Sequence, residues 1–251
     1  EDYSRQVLQG TGSGVVVAKG YVLTNYHVVE DASMLEVTSG DNTYSATVAG
    51  YDESLDLAVL KVEDLPLEPV VLGDSDALKV GDWAICIGNP LDFTGTTTVG
   101  VISALNREIT SKSTDAYGRK TNNVNRMIQT DAAINAGNSG GGMFNVAGEL
   151  VGVPSMKYTG SYYSTSTVEG IGMAIPINVA KPLIEEVLSG KTVANGASSA
   201  DSTKDSSSVA PESRPRMGVK VQTISASNSG AVAAGALPTG AYISEVEKDS
   251  P

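Results

Sequence analysis

Leu23-Thr24-Asn25-Tyr26-His27-Val28-Val29 carries the single histidine of a 251-residue chain. An apolar run ends at Leu23, and Thr24-Asn25 separates it from the imidazole. A free imidazole titrates near ~6.5, which suits proton transfer around neutral pH. Two later stretches hold the groups such a base works with. Asp56 precedes Leu57-Ala58-Val59-Leu60, and Ser139 lies in Ile134-Asn135-Ala136-Gly137-Asn138-Ser139-Gly140-Gly141-Gly142. A carboxylate at the mouth of a buried strand costs desolvation unless it is hydrogen-bonded. Pairing with His27 Nδ1–H would satisfy Asp56 and fix the productive tautomer; Asp52 is the nearby competitor. The glycines leave little bulk around the Ser139 hydroxyl. Backbone N–H groups of Gly137 and Ser139, with Asn138 completing the turn, are the expected oxyanion donors. Each segment alone has a plainer reading: a core histidine, an aspartate capping a turn, a flexible Gly/Ser turn.

The order of the three decides more than any one of them. His27 and Asp56 are 29 residues apart, and Asp56 and Ser139 are 83 apart. His, then Asp, then Ser is the order of the two-barrel chymotrypsin-like scaffold. His27 and Asp56 would come from the first barrel and Ser139 from the second, with the site in the cleft between them. In this order the chain resembles the chymotrypsin-like family, and the resemblance implies an all-β fold: two perpendicular six-stranded β-barrels with a C-terminal helix. Metal chemistry is not expected, because no second histidine exists and no Cys/Asp/Glu cluster has ligand spacing. No cofactor is expected either.

Composition agrees with that class. Gly is abundant at 27 residues while Phe and Trp together number three, a mixture that favours short strands and tight turns. A net charge of -12 argues against nucleic acid as a partner. Cys86 is the only cysteine, so no internal disulfide can form, and its apolar strand makes it an inert buried thiol. No apolar run reaches the length of a transmembrane helix. The start at Glu1 reads as a trimmed end, which leaves room for a signal or membrane anchor upstream.

Strands are expected from Gly14 to Leu105 in two series, the second beginning near Trp83. Met127 to Ala132, Gly148 to Pro154 and Gly172 to Ile175 add three more. Residues 107–125 and 157–169 read as long polar loops. Ile177 to Leu188 has apolar residues at helical period, with Pro182 near its middle. The division expected is a protease domain over 1–192 (barrel one about 10–75, barrel two about 76–180), a linker over 193–213, and a fragment over 214–251. The linker is rich in Ser, Ala and Asp and cannot bury enough apolar area to order itself.

The chain resembles HtrA-like (Deg-type) serine proteases. The resemblance rests on Gly12-Ser13-Gly14-Val15-Val16, Thr24 to Val29, Asp56 to Val62, Ile128 to Asn135, Gly137 to Gly141 and Gly172 to Ile177. It resumes at Arg214-Pro215-Arg216-Met217-Gly218-Val219, which looks like the start of a PDZ domain. The resemblance implies a catalytic triad of His27, Asp56 and Ser139, with an oxyanion hole at Gly137, Asn138 and Ser139. It also implies digestion of unfolded or misfolded proteins outside the cytoplasm by a homotrimer. Three positions depart from the family pattern: Tyr26, Ala136 and Gly142 stand where Ala, Pro and Pro are usual.

Ile134 and Val151-Gly152-Val153 are the expected walls of the primary substrate pocket. They are small and apolar, so a modest aliphatic residue is expected before the cut. Backbone pairing along residues 151–155 would hold the substrate as an added strand, which selects extended, unfolded chains. Competing readings are a peptide-binding or chaperone module with secondary proteolysis, and a structural subunit of an assembly.

Overall fold

Runs such as Val15-Val16-Val17 and Leu57-Ala58-Val59-Leu60 are buried without interruption rather than at every second residue. Strands of that kind must have apolar neighbours on both faces. The computed structural model, which describes residues 7–89, 95–114, 120–135, 137–156, 170–191, 193 and 219–225, shows why. Two antiparallel sheets pack against each other and against a helix.

The first sheet uses β1 (Val7–Ala18), β2 (Tyr21–Thr24), β3 (Met34–Ser39), β4 (Asn42–Asp52) and β5 (Leu57–Val62), with the short helix α1 (Tyr26–Val29) after β2. The second uses β6 (Trp83–Gly88), β7 (Thr96–Thr114), β8 (Lys120–Thr130), β9 (Gly142–Phe144), β10 (Leu150–Pro154) and β11 (Gly172–Pro176). It closes as a six-stranded barrel in the order β10-β11-β8-β7-β6-β9. Helix α2 (Ile177–Leu188) follows directly.

Alternation along the shared strands sorts side chains into three cores. Val16, Val22, Val37, Leu60 and Val62 fill the first sheet. Cys86, Ile102, Ile128, Met143 and Val151 fill the second. Val15, Leu23 and Val59 point the other way and meet Phe144, Leu150 and Ile175 of the second sheet, together with Ile184 and Val187 of α2. That third core joins the two sheets. Each large aliphatic side chain buried there contributes about 1.5–3 kcal/mol of transfer free energy.

The expectation of two six-stranded barrels is corrected for the first sheet. Its strands in residues 7–62 number five, in the order β1-β2-β5-β4-β3, and by themselves form an open half-barrel. Residues 63–82 add no sixth strand, for a physical reason. Leu65-Pro66-Leu67-Glu68-Pro69 carries two prolines, which lack the N–H a ladder needs. Only single bonds follow, such as Val70 N–H to Val16 O at 2.9 Å. The open side between β1 and β3 is lined instead by β12 (Val219–Ser225), paired antiparallel with both.

Residues 107–125 also differ from the expected loop. Arg107 pairs with Met127, and the ladder runs on to Thr114 opposite Lys120, so β7 and β8 make one long hairpin. Ser, Thr, Asn and Lys predominate in this stretch, and their polarity hides the strand signal. The second polar loop, 157–169, lies outside the described residues, as do 1–6, the linker apart from Val193, and the rest of 214–251.

Candidate active site

His27 sits in α1, one turn long, at the exit of β2. Asp56 occupies the turn that feeds β5 and adopts a left-handed backbone, φ 59°. A non-glycine residue held there carries strain. The bonds around it explain its persistence. Its carbonyl accepts from Tyr26 N–H at 3.1 Å and from Asn25 Nδ2 at 2.9 Å. This left-handed turn aims the carboxylate back at α1.

The carboxylate is fully buried. Oδ2 lies 2.8 Å and Oδ1 2.9 Å from His27 Nδ1. Oδ1 also accepts from the His27 backbone N–H at 3.0 Å, and Oδ2 accepts from the Ser155 hydroxyl at 2.8 Å. A buried charge is tolerated only with such partners. The arrangement places the proton on Nδ1 and leaves Nε2 as the basic nitrogen. Asp52 has a different job: its Oδ1 accepts from Ser54 Oγ at 2.6 Å and Leu55 N–H at 3.1 Å, which shapes the turn leading to Asp56.

Ser139 arrives from the second sheet on the loop before β9. Gly137 and Gly140 have φ of 101° and 81°, so this turn needs glycine. The loop is pinned from both sheets: Ser139 O accepts from Ser13 N–H of the first at 2.8 Å, and Gly140 N–H donates to Pro154 O of the second at 3.1 Å. A Cβ on Gly140 would lie 2.3 Å from Thr24 Oγ1 and 3.0 Å from Asn25 N, so the nucleophile loop presses on the segment that ends in His27. The Ser139 hydroxyl accepts from Met156 N–H at 3.0 Å. Among the described residues it is not hydrogen-bonded to His27.

Within the loop, Asn138 N–H is spent on Asn135 O at 3.0 Å. Asn138 therefore shapes the expected oxyanion hole and does not donate to it from the backbone. Among the described residues, the N–H groups of Gly137 and Ser139 have no acceptor, which leaves them for a ligand oxygen.

The expected pocket residues are divided. Val151 and Val153 are fully buried in two different cores. Ile134 is half-buried, and its Cγ1 would lie 2.6 Å from a Cβ on Gly172. Along β10 both edges are already occupied, by β11 on one side and by β9 and Gly140 N–H on the other. Residues 151–154 thus have no free edge for an added strand. Ser155, which sequence reasoning placed only in that strand, is the residue it missed; nothing near Pro154-Ser155 marks a partner for Asp56. Tyr26 stacks on Tyr51 with ring centroids 4.8 Å apart, and burial beside Glu30 pushes its hydroxyl up to about 12. Among the described residues no group of His, Cys, Asp and Glu side chains could hold a metal ion.

Two sheets with a His–Asp pair on one and a serine in a glycine loop on the other define a chymotrypsin-like serine peptidase. Residues 12–153 match the trypsin-like peptidase domain family. The chain is 46% identical over 196 residues to a serine protease Do-like HtrA of Bacillus subtilis, covering 75% of this chain and 41% of that protein. It is 42% identical over 196 residues to a probable periplasmic serine endoprotease DegP-like of Chlamydia trachomatis, covering 76% of this chain and 36% of that protein. Among solved structures it is similar to the HtrA-type protease AlgW with decapeptide, at 36% identity and TM-score 0.58, over 72% of this chain and 52% of that one. The chain belongs to the trypsin-like peptidase family and, within it, to the HtrA-like serine proteases. It spans about two fifths of the length of the curated relatives it matches.

Proposed function

We propose that the chain is a serine endopeptidase that cuts unfolded or misfolded proteins outside the cytoplasm. The observation that carries this reading is the His27–Asp56 pair, with both carboxylate oxygens within 2.9 Å of Nδ1. His27 takes the Ser139 proton on Nε2 as the hydroxyl attacks the substrate carbonyl, then gives it to the leaving amine. Asp56 holds the ring in the right tautomer and stabilises the imidazolium. Gly137 and Ser139 N–H groups receive the developing oxyanion. Water then enters and the same steps run again to release the acyl group.

For the attack, the Ser139 hydroxyl leaves Met156 N–H and turns to the imidazole. Ile134, half-buried beside Gly172, supports a modest aliphatic residue before the cut. Extracytoplasmic action and a homotrimeric assembly rest on the likeness to the HtrA-like relatives. Fluorophosphonate labelling with peptide mapping tests the core of the reading, together with digestion of unfolded casein. Label on Ser139 and loss of digestion in Ser139→Ala are expected. Label elsewhere, or equal digestion by Ser139→Ala, overturns it; no label and no digestion by the unaltered chain favours a peptide-binding module.

A further inference from the structure

Ser13 belongs to β1, on the opposite sheet from the nucleophile, yet all of its polar atoms serve the active-site seam. It is fully buried. Its N–H donates to Ser139 O at 2.8 Å, and its carbonyl accepts from Thr24 Oγ1 at 2.7 Å. Its hydroxyl donates to Gly137 O and accepts from Asn89 N–H at 2.8 Å. A serine hydroxyl has one proton to give, and this one is given to the oxyanion loop.

The bond to Gly137 matters because of what stands at the other end of the same peptide unit. Asn138 N–H is tied to Asn135 O at 3.0 Å. The 137–138 peptide is thus held at its oxygen from the first sheet and at its nitrogen from within the loop. Gly137, at φ 101°, has the freedom to swing that few residues have. With the following peptide clamped at both ends, the Gly137 N–H is left only the rotations about the two backbone bonds of Gly137 itself.

The space around the hydroxyl is cut to serine size. A Cβ on Gly88 would lie 2.9 Å from Ser13 Oγ and 2.8 Å from Asn138 Oδ1, and one on Gly141 would lie 3.2 Å from Ser13 Cβ. Without the hydroxyl, Gly137 O and Asn89 N–H lose a partner in a dry place, and a buried unpaired group drives rearrangement.

We propose that Ser13 is a positioning residue: from the first sheet, its hydroxyl fixes Gly137 so that the oxyanion hole is ready before substrate arrives. The proposal rests on the assignment of Ser139 as nucleophile and of Gly137 N–H as an oxyanion donor. Ser13→Ala is expected to lower kcat by about 10–100-fold, less than outright removal of an oxyanion donor, with KM within about twofold. The affinity of a peptide aldehyde, whose adduct carries the oxyanion, should fall by the same factor as kcat/KM. The histidine limb of the pH–rate profile should not move. Ser13→Gly, which also lacks the hydroxyl and fits the space, should lose as much as Ser13→Ala.

A merely structural role would lower the melting temperature and leave kcat per folded molecule and aldehyde affinity unchanged; that result overturns the proposal. If neither variant folds, hydrogen exchange of the unaltered chain decides. Asn89 and Asn138 amides should rank among the slow exchangers, and rapid exchange at Asn89 overturns the clamp. A wild-type chain that neither takes fluorophosphonate at Ser139 nor digests casein defeats the underlying assignment, and the proposal with it. Wild-type cleavage matched by Ser13→Ala defeats the clamp alone.

Discussion

Asp56 grips His27 at two points. One carboxylate oxygen receives the backbone N–H at 3.0 Å, and both oxygens lie within 2.9 Å of Nδ1. Ring orientation and main-chain position are therefore set by the same buried group. Asp56→Asn keeps the shape but turns an acceptor into a donor facing Nδ1, which selects the wrong tautomer. We expect kcat to fall by about 10⁴-fold with the fold intact. Steady-state kinetics on an unfolded substrate, with circular dichroism as control, measure it.

Ser155 donates to the same carboxylate at 2.8 Å from the other side. Hydrogen bonds to a charged group contribute about 1.5 kcal/mol or more, so Ser155→Ala should reduce kcat/KM about tenfold. Ser155→Thr, which restores the hydroxyl, should recover part of the loss. Unchanged kinetics in Ser155→Ala would assign this contact to packing alone.

Gly140 and Gly190 make a paired test of backbone and crowding. Both have left-handed φ, 81° and 79°, but only at Gly140 would a Cβ strike backbone, 2.2 Å from Ser13 O. Gly190→Ala should cost only the conformational penalty, about 1–2 kcal/mol. Gly140→Ala adds overpacking of about 1–3 kcal/mol and displaces Ser139, so both stability and cleavage should fall. Thermal melts of the two variants give the comparison.

Burial pushes the Cys86 thiol up to about 12. Iodoacetamide at mildly alkaline pH should leave the native chain unmodified and alkylate it in denaturant. The sign for stability follows. The unfolded thiol ionises near ~8.5, the folded one only near 12, so stability contributed by Cys86 is lost as pH rises between them. Cys86→Ala should flatten that part of the profile.

Asp74 titrates the other way. The Asn178 side-chain amide, and then Asp76 N–H, hold its carboxyl below the ordinary value. Its contribution is present above the unfolded carboxyl pKa, about 3.9, and is lost as pH falls through the lower folded value. Asp74→Asn should narrow the difference in melting temperature between neutral and acid solution. An unchanged slope would remove the Asp74–Asn178 contact from the stability of the α2 start.

What the sequence made legible was what depends on short runs. Leu57 to Val62 and Leu150 to Pro154 read as strands because apolar density survives without context. His27, Asp56 and Ser139 stood out because their order, not their surroundings, carried the signal. The misses have separate causes. Ser13 and Ser155 act through partners 124 and 99 residues away, and nothing local distinguishes them from other serines. The β7–β8 hairpin was hidden because a run rich in Ser, Thr and Asn offers no apolar stripe to read. Val151 and Val153 looked like pocket walls because sequence cannot say which side of a strand another sheet will cover.

The seam between the sheets has a last consequence. Base and nucleophile come from different sheets, and the core those sheets share sets the distance between them. Cleavage is then a gauge of packing in that core: mild denaturant that loosens it should silence the enzyme while its far-ultraviolet dichroism still reports intact strands.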